Sequence, residues 1–446
     1  MYSETQFPQN TPNRLWHLLP LPVTRRNRTT ESDLVFEAIE TGNINPLKYF
    51  MKQNKVDVNT KDDLGISFLR LAAQKGDSKI VKYLVEHGAD VNSENIFGDT
   101  PLHYAVSHID SGIAKYLMDH GANANVTNEF GDTPIHYAAK MGNLEDVQNM
   151  LTYNKNHQIE SKHANTILHY AVRSENLELV KYLVEKENFN INVVDEFGNS
   201  ALHAAISCKN PEIIEYLITN GANINATNKF NRTPLFYAVD FGNINTIKCL
   251  LDHKAQTNIK DVEGNTVLHI ASRDQNNKVA RMLMRHKAGI NIIDKSCHTP
   301  IYYAITSNNK ELLKYMVEHG ANINIADKER KTSIYHAIES GDAEMVKYLV
   351  RNGAIVDKVT DINSNTPLHW AMVYENIEMI KCLIEEGKND INAKNRNGYS
   401  PLDLISECKD QKIVQYLMLK KQLQNLNEAN RSIEQVESTQ YHYKLK

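Results

Sequence analysis

Apolar side chains return along the chain in two alternating short stripes, each with the three-to-four-residue spacing of a helix that buries one face. In one stripe Leu102, Ala105 and Val106 share a side, just after Thr100 and Pro101. Thr at a helix start accepts from an amide that has no helical acceptor, and Pro at the first helical position gives up an N–H the helix does not use, so a helix begins here. In the other stripe Val81, Leu84 and Val85 stand at i, i+3 and i+4, and Gly88 ends the helix by supplying a left-handed residue. Ala89-Asp90-Val91-Asn92 then extends the chain, and Phe97-Gly98-Asp99 turns it back toward Thr100. The pattern predicts two antiparallel helices and a projecting hairpin, with the small Ala105 permitting close helix approach.

The same unit recurs throughout. Its opening Thr or Ser falls at Ser67, Thr100, Thr133, Thr166, Ser200, Thr233, Thr266, Thr299, Thr332, Thr366 and Ser400, always 33 or 34 residues apart, with a degenerate first copy at Asp33. Such a period is the signature of a helical repeat array whose units contact only their neighbours. The copies run approximately 31–62, 63–95, 96–128, 129–161, 162–195, 196–228, 229–261, 262–294, 295–327, 328–361, 362–395 and 396–419. The first keeps Leu34, Val35, Ala38, Leu47 and Phe50 but not the T-P-L-H chemistry, and the twelfth replaces His by Asp403 and the small Ala by Ile405. Terminal units meet water on one side, so both departures are expected.

The eight residues Gly98–Ala105, G-D-T-P-L-H-Y-A, resemble the ankyrin repeat motif, and the resemblance covers roughly residues 31 to 419. It implies an all-α fold, a right-handed α-solenoid of helix-turn-helix repeats with β-hairpin loops at right angles, binding other proteins on its concave face.

Departures from the pattern locate expected irregularities. The helix-ending Gly is present at Gly88, Gly121, Gly221, Gly320, Gly353 and Gly387; Asn54 and Asn154 replace it with a residue tolerant of positive φ, whereas Lys254 and Lys287 do not. The hairpin Gly is lost at Ala164, Cys297, Arg330 and Ser364, so repeats five, nine, ten and eleven are expected to carry looser or reshaped hairpins. Repeat five also lacks the usual linker, which makes Asn154–Ala164 the expected bend. Residues 1–30 hold four prolines and Arg25, Arg26 and Arg28 without helical period, and read as a disordered leader. Its cluster Leu15-Trp16-His17-Leu18-Leu19 either packs on the first repeat or recognises a separate protein. Residues 420–446 read as a tail, either a helical cap extension or disordered.

Composition narrows the function. The net charge of −4 and pI near 6.5 create no basic field, so neither nucleic acid nor an anionic membrane is an expected partner. Five cysteines without C-x-x-C spacing read as reduced thiols in a cytosolic or nuclear compartment, and the expected location is cytoplasmic, or a host cytosol for a protein of an intracellular bacterium or virus. Leu15–Val23 is too short and Pro-broken for a signal peptide. An Asn/Lys/Ile-rich composition points to an AT-rich genome, as in intracellular bacteria or some viruses and protists.

Six histidines, His103, His136, His169, His203, His269 and His369, occupy one slot in successive copies. Equivalent positions in stacked helices lie about 8–10 Å apart, too far to share a metal whose ligands sit about 2 Å from it. A structural role follows, in which each imidazole bonds the Thr hydroxyl and nearby backbone; Phe36, Phe236, Tyr302 and Tyr335 would replace it by packing. No metalloprotease, P-loop, nucleophile-elbow or kinase-loop motif is found. We therefore expect no catalytic residues, no metal, no cofactor and no enzyme.

What remains is a surface. The hairpin-tip position reads Leu64, Phe97, Phe130, His163, Phe197 and Phe230, then turns polar from Glu263 onward, and Tyr104, Tyr137, Tyr170 and Tyr237 follow the His slot in the same half. These ten residues are the candidate protein-binding site, as exposed aromatics rimmed by charge. The competing reading has the tips leaning on adjacent hairpins and the tyrosines packing between repeats. The sequence thus predicts a monomeric, non-enzymatic scaffold for protein–protein interaction. The alternative is an adaptor or secreted host-targeting effector that recruits cellular machinery, such as a ubiquitin ligase, through its flanks.

Overall fold

The computed structural model describes residues 30–108, 112–153, 166–357 and 359–444, with side chains described to residue 427. It divides into two compact units, Met1–Lys229 and Phe230–Lys446. Each is a stack of helix pairs. In the first unit the pairs are Glu31–Glu40 with Ile44–Lys52, Phe68–Lys75 with Ser78–Glu86, Pro101–Ala105 with Ile113–Asp119, Pro134–Met141 with Leu144–Tyr153, Ile167–Arg173 with Leu177–Lys181, and Ala201–Cys208 with Pro211–Thr219. In the second they are Pro234–Asp240 with Ile244–Asp252, Val267–Arg273 with Asn277–Arg285, Pro300–Thr306 with Lys310–Glu318, Ser333–Glu339 with Ala343–Arg351, Pro367–Val373 with Ile377–Glu385, and a 3-10 turn Asp403–Glu407 with Gln411–Lys444.

The Thr/Ser register marks the helix starts from Ser67 onward, and most second helices begin on Asn or Asp, as where Asp77 accepts from the amides of Lys79 and Ile80, although Gly112 precedes Ile113–Asp119. Within each unit the first helix of a copy packs on the first helix of the next. Leu102, Ala105, Val81 and Leu84 are fully buried there. The first copy differs from expectation: its cap is Thr30, not a degenerate Asp33, and Asp33 closes a capping box with Thr30, starting the helix one turn earlier.

The hairpins are closed by side chains rather than strand ladders; among the described residues the only β-bridges are Lys61–Ser67 and Val194–Ser200. Asn95 Oδ1 accepts from the amides of Phe97 and Asp99, both at 2.9 Å, while Gly98 N–H donates to Asn95 O. In repeats nine, ten and eleven this geometry overturns the expectation of reshaped hairpins. Cys297, Arg330 and Ser364 adopt φ of 64°, 62° and 61°, close to the 76° of Gly98. Their hairpins keep the same bonds, with Asp294, Asp327 and Asp361 in the place of Asn95. Four hydrogen bonds per turn hold a conformation that a side chain alone would disfavour by roughly 1 kcal/mol. Lys254 and Lys287 are left-handed too, held at helix ends by backbone bonds, Lys254 N–H to Leu251 O and Lys287 N–H to Met284 O. Gly387 is not left-handed; Lys388, with φ 54°, takes that place, twelve residues before Ser400 as Gly88 is before Thr100.

A 34-residue spacing needs one extra residue, and between Thr166 and Ser200 it is absorbed by a π-helical turn, Tyr182–Lys186, followed by left-handed Asn188. The boundary expected at 419/420 falls inside a helix that runs from Gln411 to Lys444. Residues 1–29 of the leader and the linker residues Asn154–Ala164, with their expected bend, lie outside the described residues.

Candidate protein-binding surface

Behind the hairpins of each unit stands a column of buried histidines. His103 Nδ1 accepts the backbone N–H of Thr100 at 3.0 Å and lies 3.0 Å from its hydroxyl, while Nε2 faces the carbonyl of Asp132 at 3.3 Å. The same pattern joins His169 to Asn199, His269 to His298 and His369 to Tyr399. Each imidazole therefore ties its own helix start to the hairpin of the following copy, 29 or 30 residues ahead. Burial lowers the pKa of His169, His269 and His369, that of His269 to about 4. Tyr335 substitutes by hydrogen bonding rather than by packing alone: its hydroxyl donates to the carbonyl of Asn365 at 2.8 Å.

The tyrosines after this slot do not all reach the surface. Tyr104 and Tyr137, expected in the binding site, are buried between copies. Tyr104 OH donates to Asp99 Oδ2 at 3.0 Å, and the Arg70 guanidinium lies 3.8 Å from its ring centroid. Tyr137 OH donates to Asp99 Oδ1 at 3.2 Å, with Asn128 Nδ2 donating to the same carboxylate. Burial pushes the Tyr104 hydroxyl up to about 12 and that of Tyr137 higher still. The slot points at the carboxylate of a hairpin, so the ring fills the gap between copies. Tyr170 and Tyr237 are half-buried, and Tyr170 OH donates to Asp132 Oδ1 at 2.9 Å.

The tips stand outside this column. Leu64, Phe97 and Phe130 are half-buried, whereas Phe197 is 41% and Phe230 47% exposed. His163 lies outside the described residues. Ile96, beside Phe97, is 51% exposed and belongs to the same edge. Sequence reading missed it, although an apolar residue next to a tip is the available signal. Adjacent tips are tied through their backbones, Glu129 N–H to Phe97 O at 2.9 Å and Lys229 N–H to Phe197 O at 2.8 Å, so the aromatic rings are presented from a fixed edge.

Also missed was an Asn eight residues before the Thr/Ser. Asn92 Nδ2 donates to Gly121 O at 3.0 Å while its Oδ1 accepts from Asn123 N–H at 2.8 Å, and Asn192, Asn291 and Asn324 repeat this clamp.

In the copy that opens at Thr332 the His and Tyr slots are exchanged, with Tyr335 in the first and His336 in the second. His336 then meets the carboxylates that tyrosines meet elsewhere: Nε2 lies 3.0 Å from Asp327 Oδ2 and Nδ1 3.1 Å from Glu339 Oε2. His298, stacked on Tyr302 at 3.6 Å between centroids, faces Asp294 and Asp327 at 3.7 Å each. Lys331 pairs with Glu339 at 2.7 Å. Burial lowers the His336 pKa, but the hydrogen bonds to Asp327 and Glu339 outweigh it and raise the net value. The cluster joins Asp294, His298, Asp327, His336, Glu339 and Lys331 in one chain of close polar contacts.

No helix among the described residues is long and apolar enough to cross a membrane. A stretch of 56 residues is 39% identical to an ankyrin repeat protein of Rickettsia bellii, covering 11% of this chain and 33% of that relative. A family model for ankyrin repeats in three copies matches in overlapping segments, 35–128, 69–163, 109–195, 135–228, 202–296, 287–360 and 335–429. Helix pairs capped by Thr, imidazoles bridging to the next hairpin and matches from residue 35 to 429 lead to one conclusion: the chain belongs to the ankyrin repeat family.

Proposed function

We propose that this chain is a non-enzymatic scaffold that holds a partner protein along its hairpin tips and the adjoining face of its first helices. The observation that carries the reading is the exposure of large apolar rings, Phe197 and Phe230, on turns anchored by backbone bonds, Lys229 N–H to Phe197 O and Val262 N–H to Phe230 O. Burying such a ring contributes about 1.5–3 kcal/mol, while association costs about 4–15 kcal/mol, so the tips need help from neighbouring polar groups. Tyr170 and Tyr237 are the half-exposed residues placed to supply it.

The test replaces Phe97, Phe130, Phe197 and Phe230 together by Ser, then measures melting and recovery of bound protein from lysate. Loss of partners with little change in melting supports the tip edge. Recovery unchanged in the folded fraction assigns the rings to the fold instead.

A further inference from the structure

Departures from the repeat meet in one place on the second unit. After its second helix, Ile244–Asp252, the seventh copy reads Lys254-Ala255-Gln256-Thr257-Asn258, where the second copy reads Gly88-Ala89-Asp90-Val91-Asn92. After Asn277–Arg285 the eighth copy again carries a cation, Lys287, in the glycine place. Both lysines stand in left-handed backbone, φ 65° and 63°, where Gly88, Gly121, Gly221, Gly320 and Gly353 present bare backbone in other copies. The departures line one pocket of about 360 Å³, bounded by Lys254, Gln256, Thr257, Asn258, His286 and Lys287, with no carboxylate among its lining residues.

Relative to the other copies this pocket has lost an acid and gained cations and donors. Lys254 and Lys287 are exposed, and among the described residues neither is held by an ion pair. Thr257 fills a slot that Val91, Ile224, Ile323 and Val356 fill elsewhere, and it is only 6% exposed. A hydroxyl buried in an apolar slot costs free energy unless it is well bonded, and its one contact, 3.5 Å to Asn258 Oδ1, is at the outer limit of a hydrogen bond. Asn258 makes half of the clamp its counterparts make. Its Oδ1 accepts from Gly289 N–H at 2.7 Å, but its Nδ2 makes no bond to the next helix end, where Asn92 Nδ2 donates to Gly121 O. His286 Nδ1 donates to Met282 O at 3.0 Å, which fixes the ring at the pocket's side.

We propose that this pocket binds the phosphate group of a small molecule. Two ammonium groups, a buried hydroxyl and an amide nitrogen converge on one space. A phosphate monoester brings nearly two negative charges and three strong acceptor oxygens to meet them, whereas a carboxylate brings one charge and two oxygens. Lysine pairs with phosphate as a point charge and needs no planar fork. The volume is at the lower end of small-molecule sites, about 300–1,000 Å³, which suits a phosphate with a modest organic group.

The test titrates the full chain by calorimetry with inorganic phosphate, phenyl phosphate and benzoate, at an ionic strength held constant with chloride. Both phosphates are expected to bind at one equivalent, and benzoate at least tenfold more weakly than phenyl phosphate. Either order of the two phosphates supports the site: a tighter ester assigns it to a phosphorylated small molecule, and equal affinities assign it to free phosphate. Lys254→Gly with Lys287→Gly restores the residue of the other copies and is expected to weaken phosphate binding at least tenfold without lowering the melting temperature. Thr257→Val is expected to weaken it at least threefold. Lys388→Gly removes another left-handed lysine, one outside the pocket, and is expected to change nothing. The proposal is overturned if neither phosphate binds, if benzoate binds as tightly as phenyl phosphate, if the double variant binds within twofold of wild type, or if Lys388→Gly loses as much.

Discussion

His269 is held between two backbone groups that dictate its tautomer: Thr266 N–H donates to Nδ1 at 3.0 Å, and Nε2 lies 3.2 Å from the carbonyl of His298 in the next copy. Only an imidazole with Nδ1 bare and Nε2 protonated satisfies both. Adding a second proton places two hydrogens between Nδ1 and an amide that can only donate.

Acid lability follows. The folded pKa of His269 is lowered to about 4, and those of His169 and His369 are lowered too, by burial first. The unfolded chain takes up protons near pH 6.5 that the folded chain refuses, so stability falls as pH drops below that value. For His269 alone the loss at pH 5 is about 2 kcal/mol. The stability gap between wild type and His269→Phe, measured in urea from pH 7.5 to pH 5, should therefore shrink steadily; a gap independent of pH would contradict the clamp.

His336 behaves oppositely. Its pKa is raised, so its contribution is complete below pH 6.5 and disappears as pH rises through the folded value; those of Asp327 and Glu339 are lowered, so theirs disappears as pH falls below about 4. Substituting His336→Gln should therefore cost most, about 1–3 kcal/mol, between about pH 4.5 and 6.5. Stability curves of wild type and variant should converge as pH rises through the folded value of His336, and a pH-independent gap would assign His336 to packing alone.

Removing a clamp should destabilise more than removing a surface contact. His103→Ala leaves Thr100 N–H and the carbonyl of Asp132 without this partner in a buried site, an expected loss of about 1–3 kcal/mol. Chemical denaturation gives the number directly, and a change below about 0.5 kcal/mol would mean that water replaces the ring.

The left-handed hairpin residues offer a stabilising change. Cys297→Gly, Arg330→Gly and Ser364→Gly each remove a side chain from a positive-φ site, for a gain of up to roughly 1 kcal/mol less the entropy Gly adds to the unfolded chain. The triple variant should melt higher than wild type. A lower melting temperature would show that these side chains make contacts worth more than the strain.

Much of this protein is determined within single copies. Thr or Ser before an apolar stripe, a small residue on the first helix and a left-handed residue after the second specify a helix pair through local hydrogen bonds and backbone preference. The histidine role was legible because its nearest partner, three residues away at Thr100, lies in the same motif. What faced another copy was not legible. Whether Tyr104 or Phe197 meets solvent depends on groups about 30 residues distant, and Asp99, placed between two copies, draws the Tyr137 hydroxyl inward across 38 residues. The reshaped hairpins were misjudged for a related reason: sequence shows the missing glycine at Cys297, whereas the four bonds organised by Asp294 appear only once the turn is closed. Local propensity decides the elements; burial is a property of the stack, because each copy's surface becomes interior only when the next is laid against it.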